Sequence, residues 1–483
     1  MDVFIKNARE VSCACDALIL PMAETDPSAY SSLGPSVSKL IKKVFSMEFS
    51  GRKNEVLLLP ASDDLKPGRL LLVGLGKKAE ITAETLRQAG GRAASHLQGA
   101  GMKTAALSTR VISGLKLSPA DFIEGALLGS YAYKRYKKEN NYKELKTVTI
   151  LARPSQALAK AVGRAKTVAA SVSFARDLVN TPANDMTPSH LARAAAKLRG
   201  GKMTVRVLGR KDAERLGMGA FLSVARGSHE PPKFIILEYK GGKGAPVALI
   251  GKSITFDSGG ISLKPAEGME KMKYDMAGGA AVLGVMKAVK ESRMPLHVIG
   301  ILPATENLPG GSATKPGDVV RSISGTTVEV ISTDAEGRMV IADAMGYARR
   351  YKPRALVDIA TLTGACSIAL GNEAIAMMGN DRGLIERFRD ASERTCERVW
   401  EMPLFEEYKE YLKSDVADLK NAAGRTGSLV TSAWFLKEFA GDAPWVHLDI
   451  AGTAWTEKDK PYMPKGSTGI GVRLILSVLE ELK

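Results

Sequence analysis

Charged side chains alternate in one short stretch of the sequence, "STDAEGRMV" at residues 332–340. Asp334, Glu336 and Arg338 occupy every second position there, and an apolar run follows them. In an extended backbone alternate side chains share one face, so this spacing predicts two carboxylates and a guanidinium directed at one point. Two carboxylates so close together require a counter-charge.

A second stretch, residues 247–281, has the same plan. The apolar strand pattern "VALIG" leads into Lys252, Asp257, Lys264 and Asp275, as the pattern at 328–332 leads into the acids described above. If both strands lie parallel in one sheet, their carboxyl ends open on the same crevice, where open α/β sheets hold ligands. We therefore expect four carboxylates from distant segments to converge.

Four carboxylates in one crevice predict a metal centre. They would raise one another's pKa values unless cations lay among them, and two divalent ions offset four negative charges. Oxygen-rich sites suit Mn2+ and Mg2+, and Zn2+ also accepts carboxylates. Paired metals about 3.5 to 4 Å apart polarise a carbonyl and lower the pKa of a water molecule, which is the chemistry of hydrolysis.

The elements that must position these side chains form a regular alternation of strands and helices. Short apolar runs rich in β-branched residues or leucine alternate with helical patterns, which favours βα units and a mostly parallel sheet covered by helices. Helices are predicted at 188–200 and 280–292. We predict strands at 69–76, 147–152, 204–209, 234–239, 247–251, 296–302, 328–332, 355–361 and 445–451.

The fold class predicted from this alternation is a two-domain α/β protein. A smaller N-terminal α/β domain is expected at residues 1–152, a connecting helix at 153–180, and a larger domain with the central sheet and the charged residues at 181–483. The length of 483 residues fits two domains or three, and a 45% apolar, 25% charged composition excludes general disorder. No apolar run approaches the ~20 residues of a membrane span, and no secretory signal is visible, so we expect a soluble, cytoplasmic protein.

The motifs resemble the signature segments of the leucyl aminopeptidase family, the two-metal cytosolic aminopeptidases. The segments are "GKSITFDSGGISLKP", "MKYDMAGGAA", "STDAEGRMVIADA", "DIATLTGA" and "WVHLDIAGTAW". The resemblance runs from about residue 170 to the end and is weaker in the first domain. It implies release of N-terminal amino acids, preferably leucine and other apolar residues, by a water molecule that two metals activate.

Carried over by position, the resemblance assigns roles to individual residues. Lys264 and Arg338 would be catalytic, Lys264 stabilising the oxyanion and Arg338 anchoring a bicarbonate that relays a proton. Lys252 would bind metal as a neutral amine. The ligands of the two divalent ions, Mn2+ or Zn2+ with Mg2+ as a further candidate, would be Lys252, Asp257, Asp275, Asp334 and Glu336.

The resemblance also implies a substrate pocket and an assembly. The first side chain of a peptide with a free N-terminus would bind an adaptable apolar slot, although Met272 taken alone is more typical of a core position than of a pocket. The working form would be a homohexamer. Ser332 departs from the family pattern, which usually has Asn there. The pocket residues would be Met272, Thr361, Gly364 and Ala451.

Other functions remain open on the sequence. The net charge of +16 could serve nucleic acid, either beside catalysis or instead of it. The densest basic cluster, residues 133–146, alternatively forms the solvated end of a helix. A nucleotide-binding loop at "VALIGKS" is disfavoured because Pro246 replaces its first glycine, and no histidine pair has H-E-x-x-H spacing.

Overall fold

The computed structural model describes residues 1–62, 65–138 and 143–483. The chain forms two compact units: unit 1 is 1–170 with 457–465, and unit 2 is 171–456 with 466–483. Helix Gln156–Asn180 contains the division between them. The domain limits inferred from the sequence stay a prediction, and unit 1 includes 153–170 and 457–465 as well.

Unit 1 is built on a six-stranded sheet. Its strands are β1 Asp2–Lys6, β2 Ala17–Ala23, β3 Val56–Pro60, β4 Arg69–Gly76, β5 Thr104–Ser108 and β6 Thr147–Leu151. The order across the sheet is β1-β6-β5-β2-β4-β3, with only β3 antiparallel to its neighbour. Alternate residues of β2 face opposite cores, Ile19 one and Leu20 the other, because successive side chains of a strand point to opposite faces. Both faces of the sheet are therefore covered.

The helices of unit 1 are α1 Pro35–Met47, α2 Ala83–Gly99, α3 Arg110–Gly114 and α4 Pro119–Gly129, with 3-10 turns at Glu10–Ser12, Ser31–Leu33 and Lys78–Glu80. Two of them, α2 and α4, pack closely against each other. A Cβ on Gly125 would lie 1.8 Å from the carbonyl oxygen of Arg87, so only glycine allows α2 and α4 this separation. The Arg87 side chain donates to Glu84 Oε2 at 3.0 Å and to Asp121 Oδ1 at 3.1 Å. We call these three residues the Arg87 cluster.

Unit 2 contains the large central sheet. The strands of the unit are β7 Met203–Leu208, β8 Lys233–Lys240, β9 Val247–Gly251, β10 Ser253–Asp257, β11 His297–Asn307, β12 Val319–Arg321, β13 Thr327–Glu329, β14 Ala355–Ala360, β15 Ile375–Gly379, β16 Val399–Glu401, β17 Leu419–Lys420, β18 Trp445–Asp449, β19 Trp455–Thr456 and β20 Gly466–Ser467. Nine of them form the central sheet in the order β16-β15-β18-β14-β9-β11-β8-β7, with β10 pairing beside β11, and β19 pairs with β20 separately. Five of the strand pairings in the central sheet are parallel and three antiparallel, so the predicted α/β fold with a mostly parallel central sheet is confirmed.

Helices cover this sheet and bury an apolar core. Helix α5 Gln156–Asn180 spans the division between the units. The helices that lie wholly in unit 2 are α6 Pro188–Ala196, α7 Arg210–Arg215, α8 Gly219–Val224, α9 Ala277–Glu291, α10 Glu336–Ala348, α11 Gly364–Leu370, α12 Arg382–Thr395, α13 Ser428–Ala440 and α14 Val472–Glu481. Short 3-10 helices occur at Ala225–Gly227, Met269–Met276, Arg349–Tyr351 and Glu406–Leu412. Every residue of α10 from Glu336 to Met345 is buried, so this helix lies inside the unit.

Eight of the nine strands predicted from the sequence correspond to strands of the structure, and the ninth is wrong in extent and place. Instead of 328–332, β13 covers Thr327–Glu329 and pairs with β12 and β17 in a separate three-stranded sheet. It is therefore not parallel to β9 in the central sheet. The short pairing leaves residues 330–334 outside any strand, where they form the loop that enters α10.

The basic cluster at 133–146 does not continue a helix, since α4 ends at Gly129. Residues 139–142 of the cluster lie outside the described residues. Across the described chain, every helix falls short of the length and apolar character that a bilayer crossing requires.

Candidate metal centre

Asp257 is the last residue of β10, at the carboxyl end of the central sheet. It is buried, and its Oδ1 accepts from Asn307 Nδ2 at 2.8 Å and from the backbone N–H of Gly259 at 2.9 Å. A side chain on Gly259 is excluded, because its Cβ would lie 2.9 Å from Asp334 Oδ1. The glycine pair after Asp257 thus lets the two acidic loops approach each other.

Asp334 and Glu336 reach the same point by a different backbone than the sequence suggested. Residues 333–334 form a turn and α10 begins at Glu336, so the extended alternation predicted for 334, 336 and 338 is wrong. Glu336 occupies the first helical turn, where the helix dipole favours negative charge. Asp257, Asp334 and Glu336 each offer an oxygen, and these oxygens lie within 4.8 Å of one another.

Lys252 connects these acids to Asp275. Its ammonium group lies 2.8 Å from Asp275 Oδ1, 2.7 Å from Glu336 Oε1 and 2.9 Å from the carbonyl oxygen of Thr361. A Cβ on Gly337 would come within 2.6 Å of Lys252 Cε, so glycine after Glu336 makes room for the lysine. Lys252 is buried between β9 and β10 and is surrounded by carboxylates.

Lys264 approaches the cluster from the opposite end of the glycine-rich loop. Its ammonium group lies 2.8 Å from Asp257 Oδ2 and also contacts Asp334 Oδ1. The structure therefore brings together six of the residues expected at the centre, four carboxylates and two lysines: Lys252, Asp257, Lys264, Asp275, Asp334 and Glu336.

The carboxylates favour the charged form of both lysines. Burial opposes the charge on Lys252, but Asp275, Glu336 and Asp257 together raise the pKa of Lys252 above its ordinary value. Burial likewise opposes the charge on Lys264, and Asp257 and Glu336 are the largest influences that raise its pKa. Each ammonium group is therefore held in place electrostatically.

The acids remain incompletely balanced. Burial raises the pKa of Asp275, against the opposing effect of Lys252, and burial together with Asp257 raises the pKa of Glu336. Four carboxylates face two ammonium groups, which leaves a net charge of −2 if all six groups are ionised. Buried charge without a partner is costly, so this cluster favours additional cations.

Unpaired oxygens show that the residues present fit metal ions. Glu336 Oε2 is buried and accepts no hydrogen bond from the described residues. Asp275 Oδ2 and Glu336 Oε1 also lack hydrogen-bond geometry and lie only within ion-pair distance of Lys252. Oxygen and amine donors so arranged suit divalent cations such as Mn2+ and Zn2+. The donor set thus fits divalent metal ions chemically.

Arg338 is buried near the acids without an ion pair to them in the described part of the chain. Its Nη1 donates to the carbonyl oxygen of Asn421 at 2.6 Å, and its Nε has no partner there. Burial lowers the pKa of Arg338 to about 10. The guanidinium therefore retains an unused donor that an anion could accept.

The residues expected to contact the first side chain lie on three segments: the 3-10 helix that contains Asp275, the loop after β14 and the loop after β18. Met272 is half-buried in the same 3-10 helix as Asp275, and the Thr361 hydroxyl donates to Asp275 Oδ1 at 2.6 Å. Gly364 is exposed at the start of α11, and Ala451 follows β18. The structure places Thr361 directly against the centre, and the role of all four residues stays a prediction.

Several residues that organise the centre carried no signal in the sequence analysis. Asn307 Nδ2 donates to Asp257 and to the carbonyl oxygen of Thr333 at 3.0 Å. Thr333 also exchanges hydrogen bonds with Ser262, at 2.8 and 3.1 Å. Asn421 holds both the N–H and the carbonyl oxygen of Ser332. The one hint in the sequence was that Asn307 is a polar residue at the end of the largely apolar strand β11.

Comparison with known proteins adds independent information. The model of the catalytic domain of the cytosol aminopeptidase family matches residues 173–476, and the model of the N-terminal domain of the same family matches residues 24–140. A relative from Geobacter sulfurreducens described as a probable cytosol aminopeptidase is 47% identical over 99% of both chains.

Two solved structures extend the likeness to three dimensions. The bottromycin maturation enzyme BotP in complex with Mn is 34% identical, with a TM-score of 0.88, over 97% of this chain and 100% of that one. A mutant of tomato leucine aminopeptidase is 31% identical, with a TM-score of 0.88, over 100% of this chain and 96% of that one.

Proposed function

Because the chain belongs to the cytosol aminopeptidase family, whose catalytic-domain model covers residues 173–476, we propose that it is a two-metal leucyl aminopeptidase. It would release N-terminal leucine and other apolar residues from peptides. The observation that carries the proposal is the convergence of four carboxylates on two lysines, with buried oxygens of Glu336 and Asp275 lacking hydrogen bonds.

The two ions would be held by five residues. Mn2+ or Zn2+ fits the donor set, with Mg2+ as a further candidate, and the similar enzyme BotP was solved with Mn. When bound, such ions polarise the scissile carbonyl and lower the pKa of a water molecule. Coordination by Lys252 would require its ammonium group to lose a proton, so metal binding would release protons. The proposed ligands are Lys252, Asp257, Asp275, Asp334 and Glu336.

The catalytic groups of the chain itself would be Lys264 and Arg338. Asp257 keeps Lys264 charged, so its ammonium group can stabilise the negative charge that develops on the carbonyl oxygen. Asn421 orients the Arg338 guanidinium, whose Nε lacks a partner in the described residues. Arg338 could therefore bind bicarbonate or a similar anion that serves as a proton relay.

The first residue of the substrate would lie between the 3-10 helix and the loop after β14. Met272 provides an adaptable apolar surface, while Thr361, Gly364 and Ala451 form the opposite wall. Selectivity for leucine over smaller residues would be modest, because one methylene contributes about 1 to 3 kcal/mol of discrimination. A free amino terminus, in its neutral form, would be a ligand for one of the two ions, so a substrate with a blocked amino terminus should not be cleaved.

The remaining proposals concern the setting of the enzyme. We expect a cytoplasmic homohexamer that acts on peptides, and light scattering of the purified protein tests the assembly. The net charge of +16 supports a second role with nucleic acid. Affinity for duplex DNA that falls steeply with added salt would support that role, whereas no binding at low salt would exclude it.

The central test measures hydrolysis of leucine p-nitroanilide by metal-stripped enzyme before and after Mn2+ or Zn2+ is restored. Activity should be absent without metal and return with it, and N-acetyl-leucine p-nitroanilide should not be cleaved. Equal activity at every metal concentration would refute the two-metal mechanism. Cleavage of the acetylated substrate at a similar rate would refute exopeptidase action.

A further inference from the structure

Asp449 is a buried carboxylate that sequence motifs left without a role. It is the last residue of β18, fully buried, and pairs in register with Ala360 at the end of β14. No ion pair to a lysine, arginine or histidine is found for its side chain in the described chain. Burying an unpaired carboxylate is costly unless hydrogen bonds offset the cost.

Three donors satisfy this carboxylate. Asp449 Oδ1 accepts from the backbone N–H groups of Leu362 and Ala451, both at 3.1 Å. Its Oδ2 accepts from the Thr363 hydroxyl at 2.8 Å. The carboxylate therefore joins the loop after β14 to the loop after β18.

These two loops carry three of the four residues proposed to form the substrate pocket. In the loop after β14, Asp449 accepts hydrogen bonds from Leu362 and Thr363, which lie between Thr361 and Gly364 in the sequence. In the loop after β18, it accepts a hydrogen bond from Ala451 itself. Thr363 extends the linkage, because its hydroxyl also accepts from the N–H of Cys366 and so caps the start of α11.

We propose that Asp449 is a positioning residue that fixes the spacing of the substrate loops and thereby sets selectivity for the first side chain. This inference rests on the proposed aminopeptidase function. Asp449 would touch neither the substrate nor the metal ions. Its loss should alter how well different side chains fit, rather than whether the centre forms.

Selectivity is the readout that separates positioning from general stability. The kcat and KM of Asp449→Asn are measured with the p-nitroanilides of leucine, methionine and alanine, together with the inhibition constants of free leucine and free alanine. Asparagine keeps the shape but offers one acceptor oxygen. The ratio of kcat/KM for leucine over alanine should fall about tenfold, mainly through KM, because a pocket misplaced by a fraction of an ångström loses about one methylene of discrimination. Bound metal per chain should not change.

Thr363 provides a second, milder pair of variants in case Asp449→Asn fails to fold. Thr363→Val removes the hydroxyl with little change of shape, and should lower the same ratio less strongly. Thr363→Ser keeps the hydroxyl and should behave like the wild type. Equal ratios for the valine and serine variants would overturn the proposal.

Asp343 supplies the matched control. It is also fully buried, and its carboxylate accepts two backbone N–H groups, from Phe221 and Ile323, at 2.7 Å each. Asp343→Asn should lower the melting temperature and leave the leucine to alanine ratio unchanged.

If Asp449→Asn reduced activity equally for all three substrates, Asp449 would be merely structural. If the wild type cleaved none of them, the proposed function itself would fail.

Discussion

Two buried clusters of this protein contain the same groups, one cation between two carboxylates, and differ in what surrounds them. In the Arg87 cluster of unit 1, the side chains of Arg87, Glu84 and Asp121 are 6%, 16% and 24% exposed. In unit 2, the corresponding side chains of Lys252, Asp275 and Glu336 are only 4%, 6% and 2% exposed. We call the latter three the Lys252 cluster.

The difference shows which features indicate a metal site. The carboxylates of the Arg87 cluster retain contact with water, and a guanidinium offers five N–H donors. An ammonium offers three, and Lys252 donates hydrogen bonds to Asp275 and Thr361 while it contacts Glu336 only at ion-pair distance. A further carboxylate, that of Asp257, lies close by and is only 4% exposed, so water stabilises it little. Excess buried negative charge, rather than an ion pair as such, distinguishes the proposed metal centre from the Arg87 cluster.

Removing one carboxylate from each cluster should give the largest contrast. Asp275→Asn should lose bound metal and lower kcat/KM about a thousandfold or more, since metal ions contribute several kcal/mol to transition-state stabilisation. Asp121→Asn should leave activity unchanged and lower stability by about 1 kcal/mol or less, as expected for a partly exposed pair. Metal analysis and leucine p-nitroanilide assays measure both. Similar losses of activity in the two variants would remove the distinction.

Removing a cation should separate charge stabilisation from metal binding. Lys264→Ala should lower kcat about a hundredfold while bound metal stays at the wild-type level, because a charge that stabilises the oxyanion is lost. Lys287 is a suitable control, since its side chain is also 20% exposed and pairs with Glu291. Lys287→Ala should retain full activity. Loss of metal from Lys264→Ala would identify this lysine as a structural part of the centre instead.

Asp343 is a buried carboxylate outside both clusters, with no ion pair to a cation among the described residues and no proposed metal. Its substitution should have the smallest effect, a change in the pH dependence of stability. Burial raises the pKa of Asp343 to about 7, so the folded state favours its neutral form. The stability that the neutral Asp343 carboxyl group contributes is complete below the pKa that this group has in the unfolded chain, about 4. It is lost as the pH rises through 7. The melting temperature of the wild type should therefore fall more than that of Asp343→Asn between pH 5 and pH 8. Parallel pH profiles would contradict this.

The sequence predicted the residues of the centre better than the backbone that presents them. The i, i+2 spacing of Asp334, Glu336 and Arg338 suggested a strand, but the turn and α10 bring these acids together. Because α10 is buried on all sides from Glu336 to Met345, it lacks the amphipathic pattern by which helices are recognised. The central sheet was predictable because its strands are continuous apolar runs covered on both faces.

Long-range partners account for most of what the sequence could not show. Asn307, Asn421 and Asp449 each act through partners about 50 to 90 residues away, at 307 to 257, 421 to 332 and 449 to 362. No local pattern records such contacts. The return of residues 457–465 to unit 1 was likewise invisible, because the charged, proline-containing sequence EKDKPYMPK predicts only a loop and not what it packs against.

The most direct test of the excess negative charge at the proposed metal centre is its metal content. Purified protein is equilibrated with Mn2+, free metal is removed, and bound metal per chain is measured by plasma mass spectrometry. Two ions per wild-type chain, with loss in Asp275→Asn and retention in Asp121→Asn, are the predicted result. A wild-type chain that holds no metal would show that protonation of the carboxylates, and not metal binding, removes their excess charge, and would contradict the proposed centre.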